Sequence, residues 1–448
     1  MSSSSRPHPA QCLLLVGVLA VAACDPARQL RKVFESPPTP HEEYAEGLRD
    51  AGLDETALGQ TWLGAAAQAI HEPVAVSLPY REAVYVPASE ARAFGYRVVL
   101  EEGQRLSVLV EREARAPVRV FLDAFRPARD STEAPRHRAS ADSAGMTLTL
   151  EADDADTVLI RVQSELLRDV RLTITLEVRG ALAFPVSGKD TRAVQSLFGA
   201  SRDAGARSHH GIDIFAPRGT PVLAVAPGRA SVRENRLGGK VIFLRDPSRG
   251  VSYYYAHLDS QLVAPGAEVQ IGDTIGLVGN TGNARSTPPH LHFGIYRRGF
   301  GPRNPYAWVH QPTQGPAPLG ADSALLGMVA RVRIGNAVLR ASPNADADAV
   351  TRLASRQVVR VIGAGGGWAR AESADGARGW IRVGQLVSAD APLRVERLDR
   401  TVALRDAPDP SALVKASLPA GERVDVLGDA ANARLVRANG VTGWLLDD

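Results

Sequence analysis

Cysteine is nearly absent from this chain. Only Cys12 and Cys24 occur among 448 residues, both close to the N-terminus, so no disulfide can cross-link the folded body. A dominant charge is lacking too: 52 basic and 49 acidic residues leave a formal charge of +3, with the two signs interspersed. That balance describes a solvated surface and gives no indication of a nucleic-acid-binding face or a strongly cationic wall binder. Nor is there a long hydrophobic run. The apolar stretch at residues 13–23 is shorter than the ~20 residues a bilayer-spanning helix needs. Preceded by Arg6, it reads as a targeting segment and is left out of fold reasoning. The length exceeds one ordinary domain and fits roughly three or four.

What the chain has is histidine, concentrated in three places. Five of its ten histidines, His209, His210, His257, His290 and His292, lie in Ser-His-His-Gly-Ile-Asp (208–213), Tyr-Tyr-Tyr-Ala-His-Leu-Asp (253–259) and Pro-His-Leu-His-Phe (289–293). Zinc takes neutral imidazole and carboxylate as ligands and, in catalytic sites, keeps one position for water. Ile212, Ile214 and Phe215 predict a strand, on which residues two and four apart share a face. His209 and Asp213 then point one way past Gly211, and His210 points the other. By the same parity His290 and His292 share a face. Two such strands side by side present His209, Asp213 and one or both of His290 and His292 to a single point. His257, after the aromatic run 253–255, is the fifth member. A lone His-x-His is an ordinary strand pair; the clustered set, in mutually consistent parity, is not.

These segments, with Tyr255-Ala-His-Leu258, Gly272-Asp-Thr-Ile-Gly276 and Gly279-Asn-Thr-Gly282, resemble the M23 family of zinc metallopeptidases, the lysostaphin and LytM type. The resemblance covers roughly residues 184–309, with the motifs in the family's order. It implies an antiparallel β fold with a narrow groove and cleavage of peptide bonds in bacterial peptidoglycan. It also implies zinc ligation by His209, Asp213 and His292 and a catalytic pair of His257 and His290. Two departures stand out: Pro288 replaces the family's usual Gly before Pro289-His290, and the preceding loop carries Ala284 and Arg285. Arg202 and Arg207 precede the first ligand, where a guanidinium meets a substrate carboxylate or simply faces solvent. Asp259 is a candidate acceptor to orient His257, or a turn residue.

The N-terminal run ends in Leu19-Ala-Val-Ala-Ala-Cys24, which resembles the lipobox of bacterial lipoproteins. The resemblance implies cleavage before Cys24, lipid on its sulfur, and anchoring by more than one acyl chain, which is stable rather than transient. Asp25 follows it. The Pro-rich segment 36–40 reads as an extended tether. Tyr44, Leu48, Leu58, Trp62, Ala66 and Ile70 repeat at helical spacing, with Gly52 dividing two helices. Residues 96–100, 106–110, 118–122, 146–150, 158–162 and 172–176 predict strands of a β-sandwich, and the polar segment 126–143 predicts a long loop. The sandwich is as compatible with carbohydrate binding as with a spacer or a cap over the groove.

Beyond a linker, the chain repeats itself. Val338-Leu-Arg-Ala-Ser-Pro343 returns as Ala403-Leu-Arg-Asp-Ala-Pro408, and Gly379-Trp380 as Gly443-Trp444. The pattern resembles bacterial SH3 domains, which bind cell-wall peptides; Trp368 makes the first copy the better candidate for a ligand.

The expected layout is a leader at 1–23, a tether at 24–40, a helical segment at 41–72 and a jelly-roll-like sandwich at 73–183. The peptidase-like domain at 184–311, a linker at 312–326 and SH3-like domains at 327–388 and 389–448 follow. The fold class is mainly β: an antiparallel β metallopeptidase domain with an N-terminal sandwich and two small C-terminal barrels. The function expected is a zinc-dependent (Zn2+) peptidoglycan endopeptidase, lipid-anchored through Cys24 on the periplasmic face of a membrane of the bacterial cell envelope. The alternative is a non-catalytic LytM-type factor that binds the wall and activates an amidase, in which case another wall enzyme is the partner. Nucleic acid is not an expected partner.

Overall fold

The computed structural model describes residues 37–447, except 131, 142–144, 203 and 204. The expected leader, Cys24 and most of the tether lie outside the described residues. Among those described, no helix is long and apolar enough to cross a membrane.

The chain is mainly antiparallel β. It opens with two helices, Pro40–Asp50 and Ala57–His71. Thr39 and Glu42 form a reciprocal capping box at the first, and Gly52, at φ +67°, turns the chain toward the second. Behind them two sheets enclose one core. One orders strands Val74–Ala75, Ala93–Leu100, Asp156–Ser164, Val120–Arg126 and Arg136–Ser140. The other is built from Tyr80–Val86, Val170–Gly180, Gln104–Glu113 and Thr147–Glu151. Leu106, Val108 and Val110 point inward, as the alternating pattern requires, to meet Val158, Ile160 and Val162. The opposite face of Asp156–Ser164 is buried too, because the helices cover it: Gln163 Nε2 donates to the Trp62 carbonyl, and Trp62 Nε1 to the Ser164 carbonyl. The stretch expected as a long loop contains the strand Arg136–Ser140. Its residues are polar because it is an edge strand, partly exposed and tied down by Ser140 Oγ donating to Asp123.

A ten-stranded sheet follows, in which Ile212–Phe215, His290–Arg297, Val251–Gln261 and Gly239–Asp246 lie side by side in that order. It docks on the sandwich through Leu182 N–H to the Trp308 carbonyl, Gly180 N–H to the His310 carbonyl, and ion pairs of Arg249 with Glu151 and of Arg303 with Glu102. Arg297, at the far end of the strand that begins with His290, joins this contact through Asp154. Seven steps of extended chain, about 23 Å, separate this contact from His290.

The C-terminal repeat is visible as register. Arg340 pairs with Trp380 and Arg405 with Trp444, and in each copy the arginine donates to a carbonyl seven residues on, Ala347 or Ala412, at 2.7 Å. The first copy does not stand free. Its strand Val358–Gly365 pairs with Tyr80–Val86, so the sandwich and the barrel share an eleven-stranded sheet. Trp368, the residue that singled out the first copy, is largely enclosed by this pairing. Trp368 and Trp380 are 5% and 1% exposed and belong to the core of the sandwich. A Cβ on Gly363 would run into Glu82 Oε1, which explains glycine where the barrel strand meets its neighbour.

Candidate metal centre

Local sequence places each of the five histidines differently. His290 and His292 open their strand on one face, and the register sets His292 opposite Asp213 and His290 opposite Phe215, whose ring stacks on it at 5.0 Å. His209 is not on the same strand as Asp213, contrary to expectation. The strand begins at Ile212, and His209 approaches from the preceding turn, where its N–H donates to the Ala200 carbonyl. Gly211 between them is required by space, since a Cβ there would fall 2.5 Å from the Phe293 carbonyl oxygen and 2.7 Å from His292 Cε1. His210 is exposed, near Phe198.

His257 reaches the others by a bulge. Val251, Tyr253 and Tyr255 point into the core, and strict alternation would send residue 257 there as well. Instead the register slips between Lys240↔Leu258 and Ile242↔Tyr255, and His257 adopts φ +62°. The extra residue turns its ring to the site face, 5.1 Å from His290 and 5.9 Å from His292, while Leu258 takes the core position. A left-handed non-glycine residue carries backbone strain, which the surrounding packing sustains.

His209 Nε2, His292 Nδ1 and Asp213 Oδ1 meet, each pair 3.0 Å apart. Three atoms so spaced all fit about 2.1 Å from one point, the bond length of zinc to imidazole nitrogen and carboxylate oxygen, and the donor set is the one zinc prefers. These three residues form a group able to hold a metal ion. The surroundings orient them. His209 Nδ1 donates to the Leu197 carbonyl at 2.8 Å, leaving Nε2 as the unprotonated nitrogen. The second oxygen of Asp213 accepts from Arg202 Nη2 at 2.7 Å, so Arg202 supports the carboxylate. Burial opposes charge on Asp213, yet the imidazoles of His209 and His292 hold its carboxyl well below the usual range.

The remaining pair is also fixed at one nitrogen. His257 Nδ1 donates to the Thr281 carbonyl and His290 Nδ1 to the Pro288 carbonyl, each at 2.9 Å. Each Nε2 is thereby left as the lone-pair nitrogen of a neutral ring. Burial, then the neighbouring His290 and His292, pushes His257 down to about 4. Asp259, a candidate to orient His257, instead pairs with Arg218 at 3.1 Å.

Residues 207–305 match the family "Peptidase family M23". The chain carries an M23 peptidase domain. A further match, "Bacterial SH3 domain", covers residues 335–388 of the first C-terminal barrel. The M23 domain is similar to the L-Ala–D-Glu endopeptidase of Bacillus subtilis (strain 168), 36% identical over 127 residues, which are 26% of this chain and 39% of that protein. It is also similar to the peptidoglycan DD-endopeptidase ShyC of Vibrio cholerae, 35% identical over 123 residues, 26% of this chain and 28% of the other. The chain thus spans well under half the length of these relatives. Among solved structures, LytU is 34% identical, with 25% of this chain and 81% of that one covered and a TM-score of 0.24. The catalytic domain of lysostaphin from Staphylococcus simulans is 29% identical, with 26% and 91% covered and a TM-score of 0.24.

The carbonyls of Leu197, Thr281 and Pro288, which set the tautomers of the M23 site, escaped the sequence reading because a backbone acceptor has no residue signature. Tyr254, edge-on to His292 at 5.8 Å, was within reach of it: alternation puts it opposite Tyr253 and Tyr255.

Proposed function

We propose that this chain is a zinc-dependent endopeptidase that hydrolyses peptide bonds of bacterial peptidoglycan, anchored by lipid on Cys24 to the periplasmic face of a membrane. The observation that carries the reading is the convergence of His209 Nε2, Asp213 Oδ1 and His292 Nδ1 beside two histidines whose Nε2 atoms are uncommitted. The three would hold the metal. What zinc supplies there is Lewis acidity toward water and a carbonyl oxygen.

The chain's own residues do the rest. His290, with its Nδ1–H spent on Pro288, has Nε2 available to take a proton from the attacking water and return it to the departing amine. His257 faces it with the same tautomer. The two rings stand 5.1 Å apart, edge to face. His257, when its Nε2 carries a proton of its own, would donate to the developing oxyanion, a stabilisation worth about 3 kcal/mol per donor. Exchanging the two roles leaves the same residues essential. A factor that only binds the wall needs neither ring positioned in this way.

The test is release of muropeptides from purified sacculi by the full chain. Release that stops with chelator, returns with zinc and falls about 10²- to 10⁴-fold in His290→Ala supports the reading. Undiminished release by His209→Ala overturns it.

A further inference from the structure

Beside the metal centre lies a cavity of about 870 Å³, walled by Arg207, the turn over residues 234–240 and the loop over residues 281–285. The same walls hold His257: its N–H donates to the Gly238 carbonyl at 2.8 Å, and its Nδ1 to that of Thr281. Whatever fills the cavity therefore rests against the elements that set this ring.

The lining is cationic. Arg207, Arg236, Lys240 and Arg285 face it, against Glu234 as its acid. Lys240 Nζ donates to the Asp259 carbonyl at 2.9 Å, and Lys240 lies opposite Glu234 in the strand pair. The Arg236 and Arg285 side chains are exposed and make no ion pair or hydrogen bond among the described residues. Elsewhere around the site, arginines are spent internally: Arg202 on Asp213 and Arg218 on Asp259. A guanidinium presents a planar fork of donors matched to a carboxylate, and a concave basic wall also concentrates anions.

We infer that this cavity is a subsite for a free carboxylate of the peptide substrate, with Arg236 and Arg285 as specificity-determining residues. The inference rests on the endopeptidase reading and narrows it. The substrate is an anionic stem peptide, because a carboxylate brings two unpaired guanidiniums an opposite charge that an uncharged glycine bridge lacks.

The test uses the full chain and three synthetic probes: a cross-linked stem peptide with free carboxylates, the same peptide with its carboxylates amidated, and pentaglycine. The wild type is expected to cleave the acid form with a kcat/KM about tenfold or more above the amide, as a charge-assisted hydrogen bond gives. Arg236→Gln and Arg285→Gln lose that preference mainly through KM; Arg236→Lys and Arg285→Lys restore part of it. Calorimetric binding of the acid peptide to metal-free protein is expected to weaken about tenfold in the Gln variants, a readout independent of turnover. Equal handling of acid and amide by the wild type, preference for pentaglycine, or Gln variants that bind the acid peptide like wild type overturn the subsite. A wild type that binds the acid peptide through Arg236 and Arg285 but cleaves nothing, sacculi included, supports the subsite while rejecting the enzymatic reading.

Discussion

Glu82 and Arg370, 288 residues apart, form an ion pair where the sandwich meets the first C-terminal barrel. Arg370 Nη2 donates to Glu82 Oε2 at 2.9 Å, and Glu82 is fully buried. The hydroxyls of Tyr80 and Tyr96 donate to the same oxygen at 3.0 and 2.8 Å, and the guanidinium lies over Trp380, Phe94 and Tyr96 at 4.8 to 5.6 Å. With the strand pairing around Gly363, this pair locks the two units together and turns the barrel's tryptophan face inward.

Breaking one side of the lock leaves a buried charge alone. Glu82→Gln is therefore expected to destabilise by about 3–5 kcal/mol, while the volume-matched double variant Glu82→Leu with Arg370→Met recovers most of the loss. Differential scanning calorimetry reads both, and tryptophan emission should shift to the red only in the single variant. A single variant as stable as wild type would refute the lock.

His41 links stability to pH. It is stacked on Trp62 at 4.6 Å, and its Nε2 is 2.8 Å from Gln163 Oε1. Burial and the nearby Arg161 push it down to about 4, against weaker opposing effects of Gln163, Asp123 and Glu42. The unfolded ring titrates near its ordinary 6.5, so below that pH the unfolded chain binds more protons. Its contribution is whole above about 6.5 and is lost as pH falls toward 4, on the order of 3 kcal/mol. Hydrogen-exchange protection factors in Pro40–His71, taken relative to the intrinsic exchange rate at each pH, should fall between pH 6.5 and 4 in wild type, and much less in His41→Gln. Identical pH dependence in the two proteins would rule His41 out.

How much of this was open to reading follows from what each residue type reveals. The parity of His290 and His292 is a property of any strand and needed no structure. His209 and Asp213 were the right residues to expect together, but a turn and a cross-strand pairing bring them there, because the strand starts only at Ile212. His257 is where alternation fails: Tyr253 and Tyr255 predict a ring in the core, and only a register slip against Lys240 and Ile242 turns it out. The helices were plain from the spacing of Tyr44, Leu48 and Trp62. The polar strand Arg136–Ser140 and the docking of the first barrel were not, since an edge strand carries no apolar pattern and Gly363 looks like any other glycine until its neighbour Glu82 is known.

Space at Gly211 makes a third prediction. Gly211→Ala drives a methyl into His292 and the Phe293 carbonyl, so metal affinity should fall at least tenfold, by about 1.4 kcal/mol or more. Competition with a chromophoric chelator measures it, and unchanged affinity would show that the strand gives way without moving His292.

Cys24 is tested by fractionation. Cys24→Ser should move the protein from the membrane to the soluble fraction and abolish labelling by a fatty-acid precursor, because stable anchoring requires the acyl chains. Membrane retention without label would place the anchor elsewhere.

The most direct measurement is metal content. Mass spectrometric elemental analysis of the folded full chain, prepared without added chelator, should find one zinc per molecule, and almost none in His209→Ala or Asp213→Ala with circular dichroism unchanged. A wild-type protein that takes up no divalent metal on reconstitution, or variants that hold it as tightly, would contradict a site built on His209, Asp213 and His292.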